Sequence, residues 1–334
     1  MTTTVHAVDP HDEAALRAWY ACFREGAVAG RTDPLVDSLG SLAPRLRDQS
    51  EAAPRRVRAV AAYEGGAVVG ALLLEFPLAE NRHVAEVEID VPPGHRRRGV
   101  GALLFKHAVD AARAEGRTTL LGEVPVPDGA GPDSAPGLRF AERHGFSVEH
   151  GEDHYVLPLP LPLPADSTAP IRDGYSLAGW VGPCPQEHLN AYAAQRTAMG
   201  RDVPAGTLDV EPPVWDAARV RAAEDRHVQQ GFTPVVTMAR GPGDEYAGYT
   251  LILVMADQDG QVLQGDTLVL RAHRGHGLGA ALKAANLARL VEAFPGSARV
   301  HTWVAGTNTA MLAVNRRFGF RRVDSEVGVQ RRLD

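Results

Sequence analysis

Two cysteines are all that this 334-residue chain contains, and their scarcity narrows the chemistry before any motif is considered. Cys22 and Cys184 lie far apart and form no Cys-x-x-Cys pair. That spacing excludes a disulfide framework and a thiolate zinc site, and it is typical of a reducing compartment. We therefore expect no metal ion in the functional site.

Long apolar runs and a secretory leader are also missing. No stretch approaches the ~20 apolar residues that a membrane-spanning helix needs, and the N-terminus has no basic region followed by an apolar segment. These patterns predict a cytoplasmic protein with no membrane partner. The formal net charge of −6 argues against generic nucleic-acid binding, so no nucleic-acid partner is expected.

Two familiar phosphate-binding motifs are absent as well. No G-x-x-x-x-G-K-[ST] string occurs, which argues against a P-loop nucleotidase. The dinucleotide spacing G-x-G-x-x-G also fails, because Gly99 and Gly101 are followed three residues later by Leu104. Any phosphate-binding loop in this chain must therefore belong to another type.

What the chain does contain is a proline-alternating break, "LPLPLPLPADSTAP", from Leu157 to Pro170. Alternating prolines remove hydrogen-bond donors and favour extended backbone, and the small polar residues that follow are typical of a linker. A chain of this length also suits two domains. We predict one domain over 1–160, a linker over 161–170 and a second domain over 171–334.

The two halves repeat one pattern of elements. Each half predicts a strand, helices, three strands, a glycine loop, a helix, a strand, a short helix and a last strand. Matching positions, pair by pair, are Arg96 with Arg274, Gly99 with Gly277, Gly101 with Gly279, and Gly145 with Gly319. We interpret this agreement of order, spacing and loop as an internal duplication of one α/β domain.

The repeated loop has the pattern R-x-x-G-x-G, directly after a strand and at the start of a helix. Glycines there allow positive φ and close approach of a ligand, and the first turn of the helix offers free amide donors and the positive end of the helix dipole. This arrangement predicts a pyrophosphate cradle. A dinucleotide or coenzyme A would satisfy it equally well.

The strings "VPPGHRRRGVGALL" and "VLRAHRGHGLGAAL" resemble the [QR]-x-x-G-x-[GA] signature of the GNAT superfamily of acyl-CoA-dependent N-acetyltransferases. The later strings "RFAERHGF" and "AVNRRFGF" resemble the short helix of that family that ends in Gly-Phe. The resemblance covers essentially the whole chain as two copies. It implies two tandem GNAT-like domains of α/β (α+β) class, each a mixed, mostly antiparallel sheet flanked by helices.

The resemblance further implies acetyl-CoA as cosubstrate and a small-molecule amine as acceptor, attacked directly on the thioester by a monomer or homodimer. Protein lysine or N-terminal acetylation is an alternative, as is a non-catalytic acyl-CoA-binding protein. The implied coenzyme-binding positions of the first half are Ile89, Val91, Arg96, Arg97, Arg98, Gly99, Val100, Gly101 and Ala102. Those of the second half are Leu268, Leu270, Arg274, Gly275, His276, Gly277, Leu278, Gly279, Ala280, Asn308 and Asn315.

The strand "VAEVEIDV" supplies candidate bases. Its alternation places Glu86, Glu88 and Asp90 on one face, opposite an apolar face. Mutual repulsion of these acids would raise the pKa of one of them, although a solvated strand face would show the same alternation. In the second half, Asp266 aligns with Glu88. We predict Glu88 and Asp266 as the first candidates for the catalytic base, and Glu86 as the third.

The resemblance also implies a tyrosine acid four residues before the Gly-Phe glycine, and this chain lacks it. Ala141 and Asn315 occupy the place, so neither half has a phenol to protonate the leaving thiolate. Asn308 and Asn315 fit a variant in which asparagine amides bind the coenzyme. Helix capping by Asn308 is the alternative. His273 and His276 are interpreted as loop structure, not as metal ligands.

Overall fold

A computed structural model of the protein describes residues 2–129, 135–160, 174–202, 206–257 and 259–334. The predicted linker at 161–170 and residues 130–134 lie outside these ranges. The chain forms two compact units. Unit 1 comprises 1–152, 205–211 and 323–334, and unit 2 comprises 153–204 and 212–322.

Unit 1 is built from a six-stranded sheet and four helices. Its elements are β1 (Thr4–Ala7), α1 (Glu13–Val28), α2 (Leu39–Arg47), β2 (Arg55–Glu64), β3 (Ala67–Pro77), β4 (Val84–Asp90), α3 (Val100–Ala114), β5 (Thr119–Pro127), α4 (Pro136–Arg143) and most of β12 (Arg321–Arg332). The strand order is β1-β2-β3-β4-β5-β12, and among the strand pairs within it only β4–β5 is parallel.

Unit 2 repeats this architecture. Its elements are the second part of β6 (Ser147–Pro158), β7 (Ser176–Val181), α5 (Leu189–Asp202), α6 (Ala217–Gln229), β8 (Phe232–Arg240), β9 (Tyr246–Met255), β10 (Gln261–Val269), α7 (Leu278–Ala293), β11 (Arg299–Ala305) and α8 (Thr309–Phe318). The strand order is β7-β8-β9-β10-β11-β6, with β10 and β11 parallel. The predicted fold class, two mixed and mostly antiparallel sheets flanked by helices, is confirmed.

The last strand of each sheet comes from the other half of the sequence. β12 ends the chain but pairs antiparallel with β5 of unit 1, from Asp324 opposite Pro127 to Arg332 opposite Thr119. The second part of β6 lies beside β11 in unit 2. Local patterns assign each strand to its neighbours in sequence, whereas sheet pairing is not local, so this exchange escapes a reading along the chain. The boundaries predicted at 160 and 171 remain a prediction.

Helices cover both faces of the unit 1 sheet. α3 packs on one face through Leu104, Phe105 and Ala108, and the apolar residues of β4 join this cluster. α1 and α2 cover the opposite face. The acids of β4 therefore lie on the α1 side, as the alternation predicts. Leu103 of α3 is 41% exposed, whereas Phe105 lies on the buried stripe of the helix.

Candidate functional site

The loop between β4 and α3 has the geometry of an anion cradle. Arg96 Nε donates to the carbonyl of Val91 at 2.7 Å, which fixes the loop to the strand end. Gly99 has φ +85°, and α3 begins immediately after it. The first helical bond here runs from Leu103 N to Gly99 O at 3.1 Å, so the amides before Leu103 have no partner within the helix.

The loop between β10 and α7 has the same geometry. Arg274 Nε donates to the carbonyl of Val269 at 3.0 Å, and Gly277 has φ +76°. A Cβ at Gly99 or Gly277 would meet no atom within 4 Å, so the left-handed backbone, and not crowding, requires glycine at both positions. The signature arginine thus shapes each loop, and the open side of the loop is left to backbone amides.

The two loops differ in charge. Arg97 is exposed with φ +64°, and Gly275 takes the same left-handed conformation in unit 2 with φ +82°. Arg98 pairs with Glu64 at 2.5 Å in unit 1. In unit 2 the place of Arg98 is taken by His276, and Arg274 pairs with Asp202 at 2.5 Å. Unit 1 therefore presents the more positive cradle.

Several predicted coenzyme-binding residues could offer only their backbone to a ligand. Their side chains point into the cores: Val100, Leu268, Leu278 and Ala280 are buried, and Ile89, Val91 and Leu270 pack against buried clusters. Asn308 caps α8, its Oδ1 accepting from Met311 N at 3.2 Å, as the capping interpretation expects. Gly101 allows close packing, since a Cβ there would lie 3.2 Å from Phe140.

Strands β4 and β5 separate beyond the pair Glu86–Leu121, and a pocket of about 500 Å³ opens where they diverge. Residues of α1, β2, β3 and β12 complete its wall. The ionisable residues lining it are Arg31, Arg55, Glu75, Glu86, Glu88, Asp90, Glu123 and Glu326. The pocket thus gathers six carboxyl groups and two guanidinium groups.

Arginines engage only part of this acid cluster. Arg55 pairs with Glu86 and, at 3.4 Å, with Glu75. Arg31 Nε is bound to Asp324, outside the pocket lining, at 2.8 Å. Glu86, the third candidate base, is therefore held in an ion pair. The remaining four carboxyl groups of the pocket are those of Glu88, Asp90, Glu123 and Glu326.

Burial raises the pKa values of these four groups, and like charge adds to the shift at Glu88, Glu123 and Glu326. The pKa of Glu88 lies well above its usual range because the protein displaces water around it, with Asp90 as the main charged neighbour. Burial raises the pKa of Asp90 to about 7 against the opposing charge of Arg96. Burial and the neighbouring Glu123 raise the pKa of Glu326 to about 8. The pocket can accept protons near neutral pH.

The matching strand of unit 2 is irregular. Gln264 pairs with Ile252 and Thr267 with Thr250, so two residues, Gly265 and Asp266, bulge between them. The amide of Gln264 holds this bulge by donating to Leu251 O at 2.8 Å. β4 of unit 1 pairs with β3 in continuous register and has no such bulge.

Asp266, the counterpart of Glu88, is bound by a phenol. Tyr249 Oη donates to Asp266 Oδ2 at 2.5 Å, and burial together with that carboxylate raises the pKa of Tyr249. The ring of Tyr192 packs edge-on against Tyr249 at 5.4 Å. The two predicted bases thus lie in different surroundings, one among acids and one under a tyrosine.

The histidines of unit 2 act as structural groups. His273 Nδ1 lies 3.1 Å from Tyr175 Oη. His301 is buried against His154, whose ring stacks on Trp303 at 4.2 Å. Within the described ranges, no three His, Cys, Asp or Glu side chains are placed to hold a metal ion. None of the helices described is long and apolar enough to cross a bilayer.

Sequence reasoning missed five ionisable residues of the pocket. Arg31 follows α1, and the others lie on strands: Arg55 on β2, Glu75 on β3, Glu123 on β5 and Glu326 on β12. Glu123 belongs to a predicted strand next to β4, so it was within reach of pattern reasoning. Glu326 was not, because only the strand exchange places the C-terminal strand beside β5.

The chain is similar to known acetyltransferases. The model of the Acetyltransferase (GNAT) family matches residues 14–146. A mycothiol acetyltransferase of Geodermatophilus obscurus is 28% identical, over 98% of this chain and 97% of that protein. A mycothiol acetyltransferase of Clavibacter sepedonicus is 32% identical, over 74% of this chain and 72% of that protein.

Solved structures agree with these relatives. A tandem GNAT protein from the clavulanic acid biosynthesis pathway superposes with a TM-score of 0.81 at 29% identity, over 99% of this chain and 98% of that one. A GCN5-related N-acetyltransferase from Sphaerobacter thermophilus shares the fold, with a TM-score of 0.69 at 19% identity. The chain belongs to the GNAT acetyltransferase family. It has the tandem architecture of the first of these solved structures. It is an N-acetyltransferase.

Proposed function

We propose that the protein transfers an acetyl group from acetyl-CoA to the amine of a small cationic molecule, and that the transfer takes place in unit 1. The observation that carries this proposal is the carboxyl-rich pocket where β4 and β5 diverge, on the strand that leads into the arginine-bearing cradle. In this proposal the loop amides hold the pyrophosphate, and the acyl arm follows the open edge of β4.

Charge supports a cationic acceptor. Four pocket carboxyl groups remain once Arg55 has paired with Glu75 and Glu86, and an ammonium group would relieve their repulsion. A pocket of about 500 Å³ suits a small molecule. The name mycothiol acetyltransferase, borne by two of the relatives above, also favours a small molecule over a protein lysine or N-terminus.

Glu88 is the proposed base. A carboxylate with a raised pKa takes a proton from the bound ammonium more readily than an ordinary one, which leaves a neutral amine. The amine nitrogen then attacks the thioester carbonyl, and backbone N–H groups at the open edge of β4 stabilise the oxyanion. As the C–S bond breaks, the second proton of the nitrogen passes to the departing thiolate, giving the amide and free coenzyme A.

Unit 2 offers a second candidate centre. Asp266 at its bulge is bound by Tyr249, and a bulge exposes backbone groups that a regular strand pairs. In that alternative Asp266 takes the proton and unit 1 binds the coenzyme without transfer. A non-catalytic role for both units remains the other alternative.

The test combines calorimetric titration of acetyl-CoA with a thiol-release assay over a panel of amines. We expect Arg97→Glu and Gly277→Glu each to remove the binding equivalent of its own unit, because each places a carboxylate in an anion cradle. Asp110→Asn, at an exposed residue of α3 that pairs with Lys106, is the matched control. Retention of both equivalents in the two cradle variants would refute the loop assignment, and binding without turnover on any amine would support the non-catalytic alternative.

A further inference from the structure

Unit 2 contains a buried lysine that the proposed chemistry does not use. Lys283 lies in α7 and is 1% exposed. Its Nζ donates to Asn315 Oδ1 at 2.7 Å and lies 5.2 Å from the centre of the Phe320 ring. An ammonium group carries three N–H donors, so one hydrogen bond satisfies only part of its capacity. Burying an ammonium in this state costs folding free energy unless further partners satisfy it.

Asn315 adds a second donor beside it. Because Lys283 Nζ donates to Asn315 Oδ1, the amide nitrogen of Asn315 is directed elsewhere. That nitrogen, Nδ2, is buried and donates to no acceptor among the described residues. Two adjacent buried groups thus have N–H donors that lack an acceptor. An electron-rich ligand would supply one.

Lys283 and Asn315 lie close to the unit 2 cradle. Lys283 follows Gly279 by one helical turn in the helix whose first turn forms the cradle, and residues at this spacing lie about 6 Å apart. Val314, the neighbour of Asn315, lies 3.9 Å from the position of a Cβ on Gly279. Since Lys283 is buried, salt screens its charge little. The Lys283 ammonium would therefore attract a pyrophosphate that is held by the loop amides.

Burial alone lowers the pKa of Lys283 to about 7, and no carboxylate on the neighbouring elements opposes it. The groups that face it are Asn315 of α8 and the ring of Phe320. Arg289, further along α7, is directed to Thr237 of β8. Lys283 is therefore close to losing its proton near neutral pH when no anion is nearby.

In unit 1, apolar side chains alone fill the corresponding place in the fold. The counterparts of Lys283 and Asn315 are Phe105 and Ala141, and the Phe105 ring packs against Phe146 at 5.7 Å. An apolar pair fills this space without an uncompensated charge. The buried lysine is thus a difference between the units that packing does not require.

We propose that Lys283 is a positioning residue for the coenzyme of unit 2: it takes up a proton when a pyrophosphate enters the cradle, and its ammonium then holds that anion in place together with the loop amides. This inference rests on the proposed binding of coenzyme at 275–280. It implies that coenzyme binding is coupled to proton uptake in unit 2. In unit 1, where Phe105 and Ala141 occupy these places, coenzyme binding is not coupled to proton uptake.

The experiment uses the full chain with Arg97→Glu, so that unit 2 alone binds coenzyme. Acetyl-CoA is titrated calorimetrically in buffers of different ionisation enthalpy, about one pH unit above the lysine pKa. We expect uptake of nearly one proton per coenzyme, and an affinity that falls by up to about tenfold per pH unit. Lys283→Met should remove both the proton uptake and the pH dependence, and Lys283→Gln should do the same while it keeps a polar contact to Asn315.

Two further arms make the outcome decisive. Coenzyme A should give the same uptake as acetyl-CoA, because the pyrophosphate is the sensed charge, and uptake with coenzyme A alone would overturn that assignment. Phe105→Met with Gly277→Glu, which isolates unit 1, should show no uptake attributable to this position. If unit 2 binds coenzyme and Lys283→Met changes neither uptake nor pH dependence, this inference fails while the proposed function stands. If unit 2 binds no coenzyme, this inference fails while the proposed transfer in unit 1 stands.

Discussion

The two units share one architecture and differ at three matching places. Unit 1 has a regular β4, an acid pocket and an apolar Phe105 behind its cradle. Unit 2 has a bulged β10, an aspartate bound by tyrosine and a buried Lys283. The backbone parts shared by both units, loop and helix start, are those that any pyrophosphate ligand needs. The proposed roles in transfer and in anion retention rest on the side chains that differ.

The buried ionisable groups of the two units differ in the sign of their charge. Unit 1 concentrates carboxyl groups whose pKa values are raised, which suits proton acceptance from an amine. Unit 2 buries an ammonium whose pKa is lowered, which suits retention of an anion. Each arrangement costs folding free energy, so each is expected to leave a signature in stability as well as in activity.

The largest expected effect is on turnover. Glu88→Gln keeps the shape of the pocket but removes the proposed base, so kcat/KM for the best amine should fall by about 10²- to 10⁴-fold. Asp266→Asn should leave kcat/KM within a few-fold of the wild type. The thiol-release assay measures both. The reverse result, a large loss in Asp266→Asn and a small one in Glu88→Gln, would move the transfer to unit 2.

The pH dependence of that activity should follow the same group. Glu88 must be ionised to accept a proton, so kcat/KM should decline as pH falls through its raised pKa. Glu88→Gln should remove that decline along with most of the rate. An activity that falls at the ordinary pKa of a glutamate would show that the surroundings of Glu88 are more polar than the pocket indicates.

Stability should respond to pH in opposite directions in the two units, with the larger effect from Lys283. Its pKa is about 7 in the folded protein and 10.5 in the reference state, so the unfolded chain binds more protons between these values. The free energy of unfolding should therefore rise with pH across that window, on the order of a few kcal/mol. Lys283→Met should flatten the rise, as measured by denaturant unfolding at several pH values. An unchanged slope would mean that Lys283 is hydrated.

Glu326 should show the opposite sign. Its folded pKa is about 8 against a reference of 4.5, so the folded protein binds more protons between these values. Stability should fall as pH rises through this window, and Glu326→Gln should raise stability at its upper end by about 1–3 kcal/mol. Glu149→Gln is the control, since that residue is exposed and bound by Ser147 and Thr207. Equal effects of the two substitutions would contradict the raised pKa.

Much of this arrangement follows from sequence patterns, and the exceptions have physical causes. The alternation of β4 predicts its acid face, and the repeated loop predicts both cradles, because each depends on neighbours in sequence. Glu326 and the strand exchange depend on pairing between distant segments. Lys283 escapes pattern reasoning for another reason: a lysine within a helix is typical of a solvated face, and only packing shows that this one is buried.

Asn308 gives the smallest expected effect and tests whether a predicted coenzyme contact is also a helix cap. Its Oδ1 accepts from Met311 N at 3.2 Å, so Asn308→Ala should cost about 1 kcal/mol of stability. Asn308→Asp keeps the accepting oxygen and should restore stability, but it removes the amide donor and adds a charge. If Asn308 only caps α8, acetyl-CoA binding by unit 2 is the same in Asn308→Asp as in the wild type. If its amide also binds coenzyme, affinity falls in Asn308→Asp while the unfolding free energy does not, and the loss is confined to unit 2, which contains α8.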